Sequence, residues 1–484
     1  MRKFTSFNAL PKLSLVLSLA LITGFVQSSD AQEVITIQDA IEKTLNNNLQ
    51  VKQSKYSEGL SDENLKQSKN ALLPTLNGNS SYNVNFGRSV DPSTNAFNSS
   101  QFSSLNGGIS AGFNIFQGFQ KMNQIKQNML LLNASKTNTE KIKNDLILQV
   151  VTGYLQILYN KDLLKAAKEQ QTVAKKQLDR EQQLLDVGNK TLADLSQAKS
   201  QLATADLTVT NAVNALSISY LTLAQLMDVP SSTQYEVQAP LSNLIAPAAA
   251  NGNAEEIYDS SLKLFPDIKL ASLRAEAAKR GIEIAKGGYY PTLSVGAGLN
   301  TNWSSGRQQS TRTSEVIGMV PVGVVEGTGA IVNTPIYRTL TEKYHFNDQL
   351  RDNFGQYVGF SLQVPIFNGF QARSSVRKAK INHLQSIADE QLAKNNLNKV
   401  IYQAVADLKA AEGRLSATTN TYTAQKDAFN VIEQRYAVGL VNSLDFSTSQ
   451  SNMNKAEIDM IQAKYDLIFR AKVIDYYLGK QIVF

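Results

Sequence analysis

The chain has 484 residues, 48 Lys and Arg against 41 Asp and Glu, a net charge of +7 and no cysteine. Without thiols there is no disulfide, thiol nucleophile or thiolate metal site. The only histidines, His345 and His383, lie far from clustered carboxylates, so a histidine metal site or a catalytic triad lacks its parts, and so mild a charge implies no nucleic-acid partner.

Arg2, Lys3 and Lys12 precede the apolar run "LSLVLSLALITGFV" (13–26), and small residues lead to Ala31. This predicts a signal peptide over 1–31, since the run is short for an anchoring helix. Its removal takes away three cations and Asp30, and the net charge falls from +7 to +5.

A first repeat is predicted over 32–229. Residues 35–73 read as helix, from the stripe Ile37, Ala40, Ile41, Thr44 and Leu45, and Pro74 ends it. The period then changes from 3.6 to 2. Strands are predicted at about 75–88 and 105–116, with Leu76, Tyr82, Val84 and Phe86 on one face of the first. Leu105, Ile109, Ala111, Phe113 and Ile115 share a face of the second. From Gln117 to about Asp186 a helical pattern runs without proline, roughly 100 Å at about 1.5 Å per residue. "DVGNKT" (186–191) breaks it, and a second helix runs back to Met227, giving a long hairpin with its tip at Gly188. The stretch 230–253, rich in proline, alanine and glycine, reads as a connector.

A second repeat fills 254–484: helix, strands at about 292–303 and 355–367, and a hairpin with its tip at Gly439. The corner "FNIFQGFQ" (113–120) returns as "VPIFNGFQ" (364–371), so Gly369 stands 251 positions after Gly118. Before the corner the spacing is 217, as from Pro74 to Pro291, and the extra length falls in 304–354. Within it "VIGMVPVGVVEGTGAIV" (316–332) is apolar and glycine-rich; it either extends the second strand pair outward or folds over a mouth.

None of the spans 75–87, 105–116, 292–303 and 355–367 carries a charge. One face is apolar and the other is Asn, Ser, Thr and Gly, the dyad pattern of an outer-membrane barrel. Four strands cannot close one, and an open edge in lipid strands its backbone groups. Three copies give twelve strands around water, whereas two give a barrel too tight for a pore. The expected fold is therefore a mixed α and β membrane protein: a trimeric 12-stranded barrel, four strands per chain, continued by a long α-helical coiled-coil tunnel and built from a tandem repeat. Phe116, Gly118, Phe367 and Gly369 then mark the corners where strand becomes helix, aromatic at the interface and glycine at the turn.

Along the mature chain the sequence resembles the TolC-like outer-membrane efflux protein family. The resemblance rests on "VPIFNGFQARSSVRKAK" (364–380), its copy at 113–129, and the tips "LLDVGNKTLADLSQAKSQL" (184–202) and "RYAVGLVNSLDFSTSQSNM" (435–453). It implies a homotrimer in outer-membrane lipid, a helical tunnel in the periplasm, and a periplasmic adaptor and inner-membrane pump as partners. It also implies a periplasmic gate at the second tip. Tyr436 matches the family's tyrosine, and Asp445 matches the first aspartate of its constricting rings. Thr448 stands where a second aspartate would be and Val441 where an arginine would be, so one acidic ring is carried over. Gly188, Asp194 and Gly439 are expected at the adaptor-contact tips, with Asp194 turned to adaptor or solvent.

No nucleotide-binding motif is present, no cofactor is expected, and no acid–base pair stands out, so the chain is read as a passive gated conduit and not an enzyme. It would serve tripartite efflux or type I secretion. The competing readings are a barrel-anchored structural or adhesive surface protein and a soluble periplasmic coiled coil. Cargo and pump class are not encoded in any motif.

Overall fold

The computed structural model describes residues 33–90, 95, 97–98, 101–230, 235–238 and 253–480. The expected signal peptide and most of the connector lie outside them. The chain divides into two units, one of residues 1–55, 139–266 and 394–484, the other of 56–138 and 267–393.

The first unit is helical. A strand β1 (Glu33–Ile35) leads into α1 (Ile37–Asn47), whose start is fixed by a reciprocal cap: Asp39 N–H donates to Thr36 Oγ1 and Thr36 N–H to the Asp39 carboxylate. Residues 37–47 are thus helical as expected, but the predicted continuous helix breaks at Asn48. Its backbone turns extended, its side chain donates to the Leu226 carbonyl, and α2 (Leu49–Asn70) starts anew. Inside the expected connector lies a further strand, β6 (Tyr235–Val237), paired in parallel with β1. The Tyr154 hydroxyl donates to the Gln238 carbonyl at 2.7 Å and ties this strand down. Ile35, Val150, Ile157, Leu223, Met227, Val237 and Ile468 fill the core around it.

Four long helices supply most of this unit: α3 (Gln120–Asp186), α4 (Leu192–Met227), α8 (Gln371–Ala437) and α9 (Ser443–Tyr477). α3 and α8 have 67 residues each and begin 251 positions apart. The helix predicted to open the second repeat is also split, into α5 (Ala254–Leu264) and α6 (Pro266–Lys286). Phe265 precedes a proline and turns extended, which ends α5.

The second unit carries the four-stranded antiparallel sheet, in the order β10–β7–β5–β2. The strands are β2 (Thr75–Asn85), β5 (Phe102–Gln117), β7 (Thr292–Ser304) and β10 (Gly355–Gln363). The register carries the apolar residues onto one face: Leu76, Ala111, Ala297 and Val358 form one row across all four strands. Phe113, Val295 and Phe360 form another. Asn77, Ser110, Gly298 and Tyr357 form a row of the opposite face, where the Tyr357 ring lies over the glycine. Two small strands, β3 (Ser89–Val90) and β4 (Phe97–Asn98), pair beyond β2.

The strand ends differ from the expected ones for local reasons. β2 stops before Gly87, whose φ of 82° turns the chain. β10 stops before Pro365, which has no N–H to continue a ladder. At the matching place β5 runs on through a bulge between Asn114 and Phe116, so Phe116 and not Ile115 stands opposite Leu293. Helical connections precede β2 and β7 and follow β5 and β10, so the antiparallel register puts all four at one end of the sheet.

The segment expected as a loop at 304–354 is an ordered hairpin, β8 (Gln308–Val324) against β9 (Ile331–Lys343), followed by α7 (Phe346–Asp352). It forms its own two-stranded sheet. Its base is clamped by the buried Gln349, which accepts from the Ser304 N–H and donates to the carbonyls of Ser304 and Tyr344, all at 3.0 Å.

Candidate functional site at the hairpin tips

Both predicted tips are turned by the same backbone device. Gly188 and Gly439 take φ of 78° and 81°. The residue after each, Asn189 or Leu440, donates its N–H back to Leu184 or Arg435, and the glycine N–H bonds Leu185 or Tyr436. This is the Schellman pattern, which demands a left-handed residue at the turn. Both glycines are exposed.

The two tips meet inside the first unit. Tyr436 is only 3% exposed and stacks on Phe446 with ring centroids 4.6 Å apart; Phe429 closes the cluster. Its hydroxyl donates to Glu181 Oε1 and accepts from Gln177 Nε2 at 2.7 Å. Gln177 also donates to Glu181 at 2.6 Å. Glu181 is 1% exposed, and its second oxygen, Oε2, is buried without a hydrogen-bond partner among the described residues. Burial pushes its carboxyl above the ordinary range, and Asp194 pushes it the same way, while Lys190 and Arg180 pull it down. Arg180 lies over the Tyr436 ring and donates to the Ala437 carbonyl at 2.6 Å, which satisfies the end of α8.

Asp194 was expected to face adaptor or solvent. At a half-exposed site its carboxylate bonds between the tips: Oδ1 accepts from the Ser443 hydroxyl at 2.6 Å, and Oδ2 closes the capping box with Thr191. These bonds, Ser443 first, lower its pKa to about 2. Asp445 and Thr448 are exposed, one helical turn apart on α9. The Asp445 N–H is capped by Asn442, and the Thr448 hydroxyl donates to the Leu444 carbonyl. Tyr436 and Asp445 therefore stand on opposite sides of a turn, one sealed and one exposed.

Sequence reasoning missed Gln177, Glu181 and Ser443. A signal was available for Glu181: it follows Ala167 and Ala174 at steps of seven, the seam of a coiled coil, where a carboxylate is costly unless bonded.

The strand-to-helix corners are as alike as the tips. Gly118 and Phe119 both take positive φ, 57° and 60°, and Gly369 and Phe370 repeat them at 61° and 62°. Phe116 packs edge-on against Phe119 at 5.2 Å, and Phe367 against Phe370 at 5.5 Å. The sequence accounted for the glycines but not for a left-handed phenylalanine, which the aromatic pair holds in place.

The family model for outer membrane efflux proteins matches residues 40–228 and 257–479. The chain belongs to that family. The outer membrane efflux protein BepC of Brucella suis is 22% identical over 470 residues, covering 96% of this chain and 90% of its own. The outer membrane protein TolC of Escherichia coli is 21% identical, covering 96% and 86%. Among solved structures, the outer membrane channel CmeC of Campylobacter jejuni superimposes with a TM-score of 0.74 at 17% identity, covering 92% of this chain and 85% of that one. The chain is an outer-membrane efflux channel. Members of the family are channels, not catalysts.

Proposed function

We propose that three copies of the chain close a twelve-stranded barrel, that each copy is a tandem repeat supplying two strand pairs, and that the long hairpins continue the barrel as a helical tunnel in the periplasm. The observation that carries this reading is the four-stranded sheet: its strands bear no charge over the predicted spans, it is apolar on one face, and both its edges are free among the described residues. A free edge in lipid leaves backbone groups unpaired at several kcal/mol each, which association removes.

The tunnel narrows at the second-half tips. Three Asp445 side chains around the axis form an acidic ring that admits cations and resists anions, with Thr448 one turn above it. Tyr436, locked to Glu181 and Gln177, holds each second tip against the first. The exposed turns at Gly188 and Gly439 receive the periplasmic adaptor, Asp194 joins the tips behind them, and an inner-membrane pump supplies the energy. The corners at Phe116, Gly118, Phe367 and Gly369 lie at the membrane face.

The test is single-channel conductance of the purified protein in a planar bilayer beside Asp445→Ala. A small wild-type conductance, blocked by divalent cations and raised in the variant, is expected. Equal conductance and equal block in both would remove Asp445 from the constriction; failure to insert would remove the barrel.

A further inference from the structure

Along the first long hairpin, one face of α3 changes character where β6 ends. Tyr154 and Lys161 lie on the side that β6 covers: the Tyr154 hydroxyl bonds the Gln238 carbonyl, and Lys161 Nζ pairs with Glu236 at 2.9 Å and donates to the Val237 carbonyl at 3.3 Å. Steps of four and three carry the same face on to Lys165, Lys168, Thr172 and Lys175, with Lys176 beside them. Lys165, Lys168, Lys175 and Lys176 are exposed, and none has an ion-pair partner among the described residues. From Lys161 to Lys176 the cations span roughly 22 Å of helix. Leu164, Lys165, Lys168 and Leu216 line an open groove of about 410 Å³ at the upper end of the stripe.

The acids nearby do not cancel this charge. Glu236 is taken by Lys161, Asp162 by Tyr465 and Lys464, and Asp206 by Gln171. Glu169 and Asp179 remain, two acids against four cations. The segments that flank β6, residues 231–234 and 239–252, contain no acid at all. The other long helix does not repeat the pattern. At the positions 251 further on, α8 has Glu412, Ser416, Thr419, Thr423, Lys426 and Asp427. Solvation alone would be served by either set, so four unpaired lysines on one helix only call for a reason of their own.

We propose that this lysine face binds the carboxylates of a flexible acidic polymer, the peptide-bearing glycan of the cell wall, and so holds the channel laterally in the periplasm. Three observations select that occupant. A partner helix packs through an apolar seam at alternating steps of three and four. Here those positions are Lys161, Lys165, Lys168, Thr172 and Lys175, which leave nothing for a helix to pack on. A lipid headgroup is out of reach, because Lys165 stands 45 residues into α3, roughly 70 Å of helix from its start at the strand corner. Lastly, the cations are all lysine. The arginine that follows, Arg180, is committed to the Ala437 carbonyl. Arginine's planar fork suits a carboxylate held in one place, whereas ammonium groups on flexible stems follow carboxylates whose positions vary. The inference rests on the periplasmic placement of the helices and is independent of the gate at Asp445.

The experiment is sedimentation of the purified full-length protein with purified cell-wall sacculi. The unsubstituted protein should pellet with them at low salt and be released at high salt, since ion pairs between exposed groups are screened. Lys165→Gln, Lys168→Gln, Lys175→Gln and Lys176→Gln combined should lower the pelleted fraction several-fold. The chain as a whole is basic, so a control removes as much charge elsewhere: Lys52→Gln, Lys55→Gln, Lys399→Gln and Lys409→Gln, all at exposed positions, should pellet as the unsubstituted protein does. Sacculi whose carboxyl groups have been amidated should capture neither. No pelleting of the unsubstituted protein, equal pelleting of the 165/168/175/176 variant, or an equal loss in the control overturns the proposal. So does capture that survives amidation. A 165/168/175/176 variant that loses export while the unsubstituted protein ignores sacculi would assign the face to an acidic protein instead. Bilayer insertion of the same variant separates the two readings: it should insert and conduct normally, and failure of the unsubstituted protein to insert would count against the channel, not against the lysine face.

Discussion

Glu181 and Asp194 sit within one contact, between the tips, and their pKa values are displaced in opposite directions. Burial raises the Glu181 pKa, so its share of the contact's stability is full below the ordinary glutamate value and is lost as pH rises through the raised one. Asp194, held to about 2 by Ser443 and Thr191, contributes above the ordinary aspartate value and fails only as pH falls toward 2. Above the ordinary carboxylate values the Glu181 limb is the one in view. Arg180 and Lys190 face the same cluster and oppose the shift without reversing it. Conductance should therefore increase as pH rises above the ordinary glutamate value and through the raised one, and Glu181→Gln, which keeps the shape without the charge, should flatten the rise. A wild-type profile independent of pH, or one unchanged in Glu181→Gln, would take Glu181 out of the latch. At this scale the sequence is only partly legible. Tyr436 and the tip glycines stand out from motif and turn chemistry, whereas Glu181 and Gln177 matter through where α3 meets α8, hundreds of positions away in sequence.

The elements show the same division between local and non-local causes. The strands were readable because period 2, uncharged spans and flanking glycine or proline are local signals. The breaks at Asn48 and Phe265 were less so: one depends on a bond to the Leu226 carbonyl, and the other was masked by a helical pattern on both sides. β1 and β6 are three residues each and exist through pairing with one another. The corners allow a direct comparison of two sites with one sequence. Gly118→Ala incurs the left-handed penalty, about 1–2 kcal/mol, plus a backbone collision with Gly287; Gly369→Ala incurs the penalty with nothing in its way among the described residues. Thermal melts of the detergent-solubilised protein should show Gly118→Ala losing several degrees more than Gly369→Ala. Equal losses would mean that the close approach at Gly287 relaxes freely.

For the whole molecule, the two proposed repeats differ mainly in one segment. Their spacing grows by 34, from 217 before the strands to 251 after them, and the paired segment from Gln308 to Lys343 is about as long as that growth. The sequence located this difference but did not resolve it, because residues 316–325 are apolar at nearly every position and follow neither period. The hairpin pairs only with itself among the described residues, and its base is closed by groups outside it: Gln349 on Ser304 and Tyr344, and Asn353 on the Asn302 carbonyl at 2.7 Å. A chain in which residues 309–342 are replaced by a short glycine–serine turn keeps every rung of the four-stranded sheet and the whole clamp. It should assemble, insert and conduct as the full chain does, and still export its cargo. Normal assembly with lost export would assign the hairpin to the exit pathway. Failed insertion would mean that β8 and β9 belong to the barrel wall, and the count of four strands per chain would have to be abandoned.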